Sequence, residues 1–212
     1  MHRLGRSDGD VTKQKILQSA AELIAQHGFA KTSNKAIAQA AEVDLASINY
    51  HFKGRDGLYH AVLVEAHRQY VDEQDLIQLA QSSLSAEDKL RAFFEALVSK
   101  LLSGNTCYSQ VLIRELLSSS AHLNQFIEQD GTRKFVLVRR IISEASGLPI
   151  DHPQLLPCVL SVLAPCFMLI LASSNAASPL HDVSTMNAHA LAMHLKTFSL
   201  AGLKAIAEQN RL

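Results

Sequence analysis

Tryptophan is absent, and aromatic residues make up only 6% of the 212-residue chain. Nine glycines and five prolines are too few for a turn-rich β protein or a low-complexity linker. The three cysteines, Cys107, Cys158 and Cys166, form no CxxC and are odd in number. Reduced thiols are therefore expected rather than a disulfide framework. Net charge is also missing, because twenty Lys and Arg balance twenty Asp and Glu. That excludes an acidic solvating tail and a strongly basic chromatin-type binder. No apolar run reaches the ~20 residues of a membrane span. The longest runs for 14 residues from Val159 to Ala172, interrupted by Ser161 and Pro165, and reads as a buried helix. Met1 to Asp10 is polar and no signal-peptide core follows, so a cytoplasmic location with no membrane partner is expected.

Hydrophobic residues reach 48%, too many for a disordered chain. Ala and Leu abound, and apolar residues recur at three and four. Both point to helices throughout, with no strand of any length. The spacing predicts helices from about Asp10 to Gly28, Ser33 to Ala41 and Leu45 to Phe52, then a long one from Arg55 to Gln81. Further helices are expected over Ala86 to Leu102, Tyr108 to Ser118, Leu123 to Ser146, Pro153 to Ser173 and Thr185 to Gln209. Light punctuation at Gly104-Asn105 and from Ser173 to Ser184 separates some of them. Leu155 to Leu171 is apolar nearly all round, which requires cover on several sides. Leu191, Leu195, Phe198, Leu203 and Ile206 line the last helix with alanines between them. These two helices read as a dimer seam, with an intramolecular core as the alternative. Pro165, inside the apolar helix, marks a kink.

The informative segment is Thr32 to Arg55, T-S-N-K-A-I-A-Q-A-A-E-V-D-L-A-S-I-N-Y-H-F-K-G-R. Two short helices flank Glu42-Val43. Ile37, Ala38, Val43 and Ile48 fall where a helix-turn-helix buries its core. Leu45, Ala46, Ser47, Asn49 and Tyr50 face outward on the second helix. Small and polar side chains of this kind suit a helix lying in a ~12 Å major groove. A chain without net charge needs local cations to hold DNA phosphates, and Lys35, Lys53 and Arg55 supply them.

This segment and its surroundings resemble the DNA-binding domain of TetR-family transcriptional regulators. The matching residues are I-L-Q-S-A-A-E-L-I-A-Q-H-G-F (16–29), T-S (32–33), I-A-Q-A-A-E-V (37–43) and I-N-Y-H-F (48–52). The resemblance spans roughly residues 12–63. The run I-N-Y-H-F-K-G-R-D-G-L-Y (48–59) and R-E-L-L (114–117) resemble the CecR/YbiH-like branch. The implied fold is all-α. A helix-turn-helix DNA-binding domain at 1–55, built of three helices, precedes a helical ligand-sensing and dimerisation domain at 56–212. The implied function is a ligand-responsive repressor, released from an inverted-repeat operator in double-stranded DNA by a small-molecule effector. The implied partner is a second copy of the chain, held through the two C-terminal helices.

Carried over position by position, the resemblance places Leu45, Ala46, Ser47 and Asn49 at base edges and Lys35 at a base edge or phosphate. Tyr50, His51, Lys53 and Arg55 hold phosphates, and Ser33 caps its helix. Arg3 and Arg6 form an arm toward the minor groove. One departure stands out: Glu42 occupies a turn position where the family usually has Gly. Asp44, beside it, is a cap, a cytosine reader or a mild repellent. The resemblance also implies an effector pocket formed by residues from about 70 onward. Its candidate lining is Tyr70, Phe93, Phe94, Leu97, Cys107, Tyr108, Val111, Arg114, Phe126, Phe167 and Met168. Arg114 stands out as a cation in an apolar helix, either an anchor for an anionic or carbonyl-bearing ligand or the partner of a carboxylate such as Glu115.

The rival readings have less behind them. The sequence has no G-x-S-x-G, H-E-x-x-H, P-loop or G-x-G-x-x-G. No catalytic residue and no cofactor is therefore expected. Ser118-Ser119-Ser120 with His122 reads as one helix ending and the next being capped. His181, His189 and His194 make no i, i+4 pair, and Cys158 and Cys166 lie eight apart, so no metal site is expected. A thiol- or metal-responsive regulator, or a helical adaptor without DNA binding, remains as the alternative.

Overall fold

The computed structural model describes residues 8–103, 106–118, 120–174, 177 and 179–210. Arg3 and Arg6, the Gly104-Asn105 pair and Ser119 lie outside the described residues. Among the described residues no strand occurs, and the helices are α1 (Asp8–His27), α2 (Asn34–Ala40), α3 (Leu45–Phe52), α4 (Arg55–Tyr70), α5 (Glu73–Gln81), α6 (Ala86–Leu102), α7 (Cys107–Ser118), α8 (Ala121–Phe126), α9 (Thr132–Ser146), α10 (Leu155–Ser174), α11 (His181–Ser184) and α12 (Ala188–Gln209).

Three expectations need correction. The helix expected over Arg55 to Gln81 is two helices. Asp72 takes an extended conformation and its carboxylate accepts from the backbone amides of Gln74 and Asp75, starting α5 afresh. The helix expected over Leu123 to Ser146 is also interrupted, because a π-helical turn covers Ile127–Gly131 between α8 and α9. The last helix starts later than Thr185, because Asn187 caps α12 with a side-chain bond from Ala190 N.

The chain packs as two compact units. The first comprises Met1–His67 with Thr106–Ile127, and the second Arg68–Asn105 with Glu128–Leu212. In the first, α1, α2 and α3 pack on one another, and α7 packs along α1. Ile16, Ala20, Ile24, Ile37, Ala38, Ile48, Leu58 and Val62 fill its core. In the second, α6 packs on α12 and α9, α5 on α9, and α10 on α9, α6 and α12. Leu90, Phe94, Val98, Ile141, Ile142, Leu155 and Val162 are among its fully buried side chains. Lys89 is buried there too, and its ammonium donates to Ala80 O (2.9 Å) and to Glu144 Oε2 (2.7 Å). It thereby satisfies a carbonyl left over at the end of α5.

As expected, α10 runs on through Ser161 and Pro165. The apolar stretch is longer than expected: Leu155–Ala172 has a mean hydropathy of 2.5, enough by length and composition alone to cross a membrane. Within its unit the helix is not covered all round. Leu156, Leu160, Phe167 and Met168 remain exposed on it, as does Phe198 on α12.

Candidate nucleic-acid interface and effector cavity

The first unit builds its reading surface from the turn between α2 and α3. Ser33 is extended and its hydroxyl accepts from Ala36 N (3.1 Å), so α2 has a proper start. At its other end the chain reverses through Glu42, whose φ is +55°. Glu42 N donates to Gln39 O (3.2 Å) and Val43 N to Ala38 O (3.0 Å). This pair of bonds is the Schellman arrangement, which wants a left-handed residue at this position. The turn therefore has the geometry a glycine would adopt, with a glutamate in place. Asp44 occupies the N-cap of α3 but makes no capping bond, so its carboxylate stays free and exposed.

α3 buries Ile48 and Phe52 and turns its other side chains out. Leu45 is 50% exposed and Tyr50 is 84% exposed. Ala46 and Asn49 are exposed, while Ser47 and His51 are half-buried. Lys53 ends the helix in the left-handed region at φ 60°. Gly57 explains how α4 follows so closely: a Cβ there would stand 1.9 Å from Phe52 O. No larger residue fits that joint without moving backbone.

Arg55 is more occupied than the sequence suggests. Its Nη2 donates to Phe29 O (2.5 Å) and Ala30 O (3.3 Å), and its guanidinium lies 4.2 Å over the Phe29 ring. It ties the start of α4 to the 3-10 turn Phe29–Lys31. Phe29 stacks on Tyr59 at 4.1 Å, with His122 edge-on to both rings. Tyr59 donates to the buried Glu115 carboxylate (2.6 Å), which also accepts from Ser120. Burial and that bond push the Tyr59 phenol far above its usual range. Ser120 also caps α8, as expected of the serine run. Sequence reasoning missed this network, since Tyr59 and Glu115 lie 56 residues apart.

The lysines of the first unit differ from the cations of the second. Lys13, Lys15, Lys31, Lys35 and Lys53 make no ion pair among the described residues. In the second unit Arg68, Lys89, Arg91, Lys100, Arg133, Arg140, Lys196 and Lys204 all pair with carboxylates. Positive charge free for an outside anion is thus concentrated on the unit that carries α3.

The candidate effector residues separate. Tyr70, Phe93 and Leu97 line one cavity of about 220 Å³ in the second unit. Val71, Leu76, Leu79, Ala92 and Ala96 complete its apolar wall, and Asp72, Asp75 and Lys100 are its charged residues. Phe94 is buried in the core instead, while Phe167 and Met168 are exposed on α10. Cys107, Tyr108, Val111, Arg114 and Phe126 belong to the first unit. Among the described residues Arg114 makes no ion pair with Glu115. Its Nη2 donates to Ala25 O (3.2 Å) at the C-terminal end of α1, where a cation is favoured. Burial and the Glu22 carboxylate raise the Cys107 thiol above its usual value, and burial pushes Cys166 up to about 12. Neither is the lowered thiol of a redox sensor. Among the described residues, no three His, Cys, Asp or Glu are placed to hold a metal.

Comparison with known proteins assigns this architecture. Residues 16–62 match the family model described as bacterial regulatory proteins, tetR family. Residues 86–203 match the C-terminal domain of the HTH-type transcriptional dual regulator CecR. The chain belongs to the TetR family, in its CecR-like branch. It is 31% identical over 157 residues to the probable HTH-type transcriptional regulator YttP of Bacillus subtilis, spanning 66% of this chain and 70% of that one. Solved TetR-type structures share the fold. A putative transcriptional regulator from Pseudomonas aeruginosa superposes with a TM-score of 0.73 at 21% identity, over 98% of this chain and 97% of that one. FadR from Bacillus subtilis, solved with stearoyl-CoA, gives 0.69 at 18% identity, over 89% of this chain and 98% of that one. As a TetR-family member, the chain is a DNA-binding transcriptional regulator.

Proposed function

We propose that this TetR-family regulator is a cytoplasmic homodimeric repressor, released from an inverted-repeat operator when a small molecule binds its C-terminal half. The observation that carries this reading is the outward face of α3, bearing Leu45, Ala46, Asn49 and Tyr50, on a unit whose lysines make no ion pair among the described residues. Functionally the chain divides into a reading head at 1–55 and a sensing and dimerising part at 56–212. Leu45, Ala46, Ser47 and Asn49 act at base edges, and Lys35 at a base edge or phosphate. Ser33, Tyr50, His51, Lys53 and Arg55 act at phosphates, Arg55 with the donors left over from its bonds to Phe29 and Ala30.

The apolar residues left exposed on α10 and α12 support the dimer. Leu156, Leu160 and Phe167 recur at helical spacing along one face, and Phe198 is 73% exposed. A second copy covers such a face by two-fold symmetry. An apolar cavity lined by Tyr70, Phe93 and Leu97 supports a small-molecule effector with a hydrophobic body, and the structural neighbour crystallised with stearoyl-CoA agrees with that class. Cys107, Tyr108, Val111, Arg114, Phe126, Phe167 and Met168 do not line this cavity, so the effector reading rests on Tyr70, Phe93 and Leu97. Release requires only that the effector prefer the dimer whose reading heads do not fit the operator. The description of the matching C-terminal family as a dual regulator leaves room for activation at other sites.

Selection of binding sites from random duplex DNA by the purified chain tests this reading. The expected result is an inverted repeat with half-sites about one turn, ~34 Å, apart and an affinity that falls steeply with salt. Absence of any salt-dependent duplex binding would bring the helical adaptor forward.

A further inference from the structure

Accepting α3 as the recognition helix, we infer that the base pairs beneath it are A·T and T·A pairs, read through thymine methyl groups and an adenine edge rather than through guanine. The commonest specific contact in the major groove is an Arg or Lys fork on guanine O6 and N7. α3, Leu45–Phe52, contains neither Arg nor Lys. Its exposed N-terminal residues are Leu45 and Ala46, apolar groups whose groove partner is the C5-methyl of thymine. One turn on, the exposed Asn49 amide makes no hydrogen bond among the described residues. An asparagine amide pairs bidentately with adenine N6 and N7. Asp44 stands free just ahead of them and can only accept hydrogen bonds. A carboxylate can accept from adenine N6 or from cytosine N4, so Asp44 does not choose between the pairs and the inference rests on Leu45, Ala46 and Asn49. Lys35 lies on α2, outside this set, and can read a flanking pair.

The test pairs DNA and protein changes on the full-length chain. The half-site recovered by selection is synthesised with each thymine replaced in turn by uracil, which removes only the methyl. Binding is measured for wild type, Leu45→Ala and Asn49→Ala. Leu45 and Asn49 are exposed, so both variants should fold. The expected half-site has A·T pairs at its core. Uracil at the core position under Leu45 should weaken wild type about fourfold, the worth of one buried carbon, and leave Leu45→Ala unchanged, whereas uracil under Ala46 should weaken both. Asn49→Ala should lose about tenfold and accept any pair at one position. A core of G·C pairs, or equal uracil losses in wild type and Leu45→Ala at every core position, overturns the inference and leaves the DNA-reading function intact. No selected sequence and no salt-dependent duplex binding overturns both.

Discussion

Glu42 and Arg55 show how single residues set the limits of the reading head. At φ +55° Glu42 carries a left-handed backbone that costs an L-residue roughly 1 kcal/mol. Glu42→Gly relieves that strain but loosens the unfolded chain, so a net gain of about 0.5 kcal/mol is expected in thermal melts. Operator preference should not change, because the turn already has its glycine-like geometry. Arg55 has two tasks, and two readouts separate them. Arg55→Ala should flatten the dependence of DNA affinity on salt by about one ion and lower stability by ~1–2 kcal/mol. Arg55→Lys keeps the charge but cannot reproduce the planar fork over Phe29. It should restore the salt slope while leaving the stability loss in melting curves.

At the scale of elements, the helices whose ends carry chemical signals were legible in the sequence. Ser33 as a cap and the core set Ile37, Ala38, Val43 and Ile48 specified the helix-turn-helix, and the structure follows them with Val43 half-buried. The break at Asp72 was hidden because D-E-Q-D-L reads as continuous helix; only its capping bonds separate α4 from α5. The π-helical turn was invisible for a simpler reason, since one extra residue per turn changes no composition. The cavity lining was legible only in part. Apolar side chains at helical spacing look alike whether they line a cavity, as Phe93 does, or fill a core, as Phe94 does. Electrostatics within an element pair is easier to predict. The Lys89 ammonium, followed by Arg140, holds the Glu144 carboxyl below its ordinary value. A carboxylate depressed in the folded state stabilises fully above the unfolded pKa, and that contribution fades as pH falls through the folded one. Denaturant titrations should therefore show wild type losing stability below about pH 4.5 more steeply than Glu144→Gln.

For the whole molecule, the two halves treat charge differently. The second unit pairs most of its cations internally and leaves Leu160 and Phe198 uncovered, whereas the first unit's lysines make no ion pair among the described residues. The proposed dimer joins these facts, because each reading head is small and two are needed for a long site. The double variant Leu160→Asp with Phe198→Asp should sediment as a monomer. It should melt within about 1 kcal/mol of a wild-type monomer, because both side chains are already exposed. It should also lose preference for the inverted repeat while keeping weak, salt-dependent duplex binding.

The aromatic inventory has a practical consequence. Four tyrosines and no tryptophan make the intrinsic emission of this protein entirely phenolic. Tyr59, Tyr70 and Tyr108 are buried, and Tyr50 alone stands in solvent, on α3. The fraction of emission that iodide can quench therefore comes from α3, the proposed recognition helix. Seating the chain on its operator should remove that fraction and an effector should restore it, so the unlabelled protein carries its own optical gauge of occupancy.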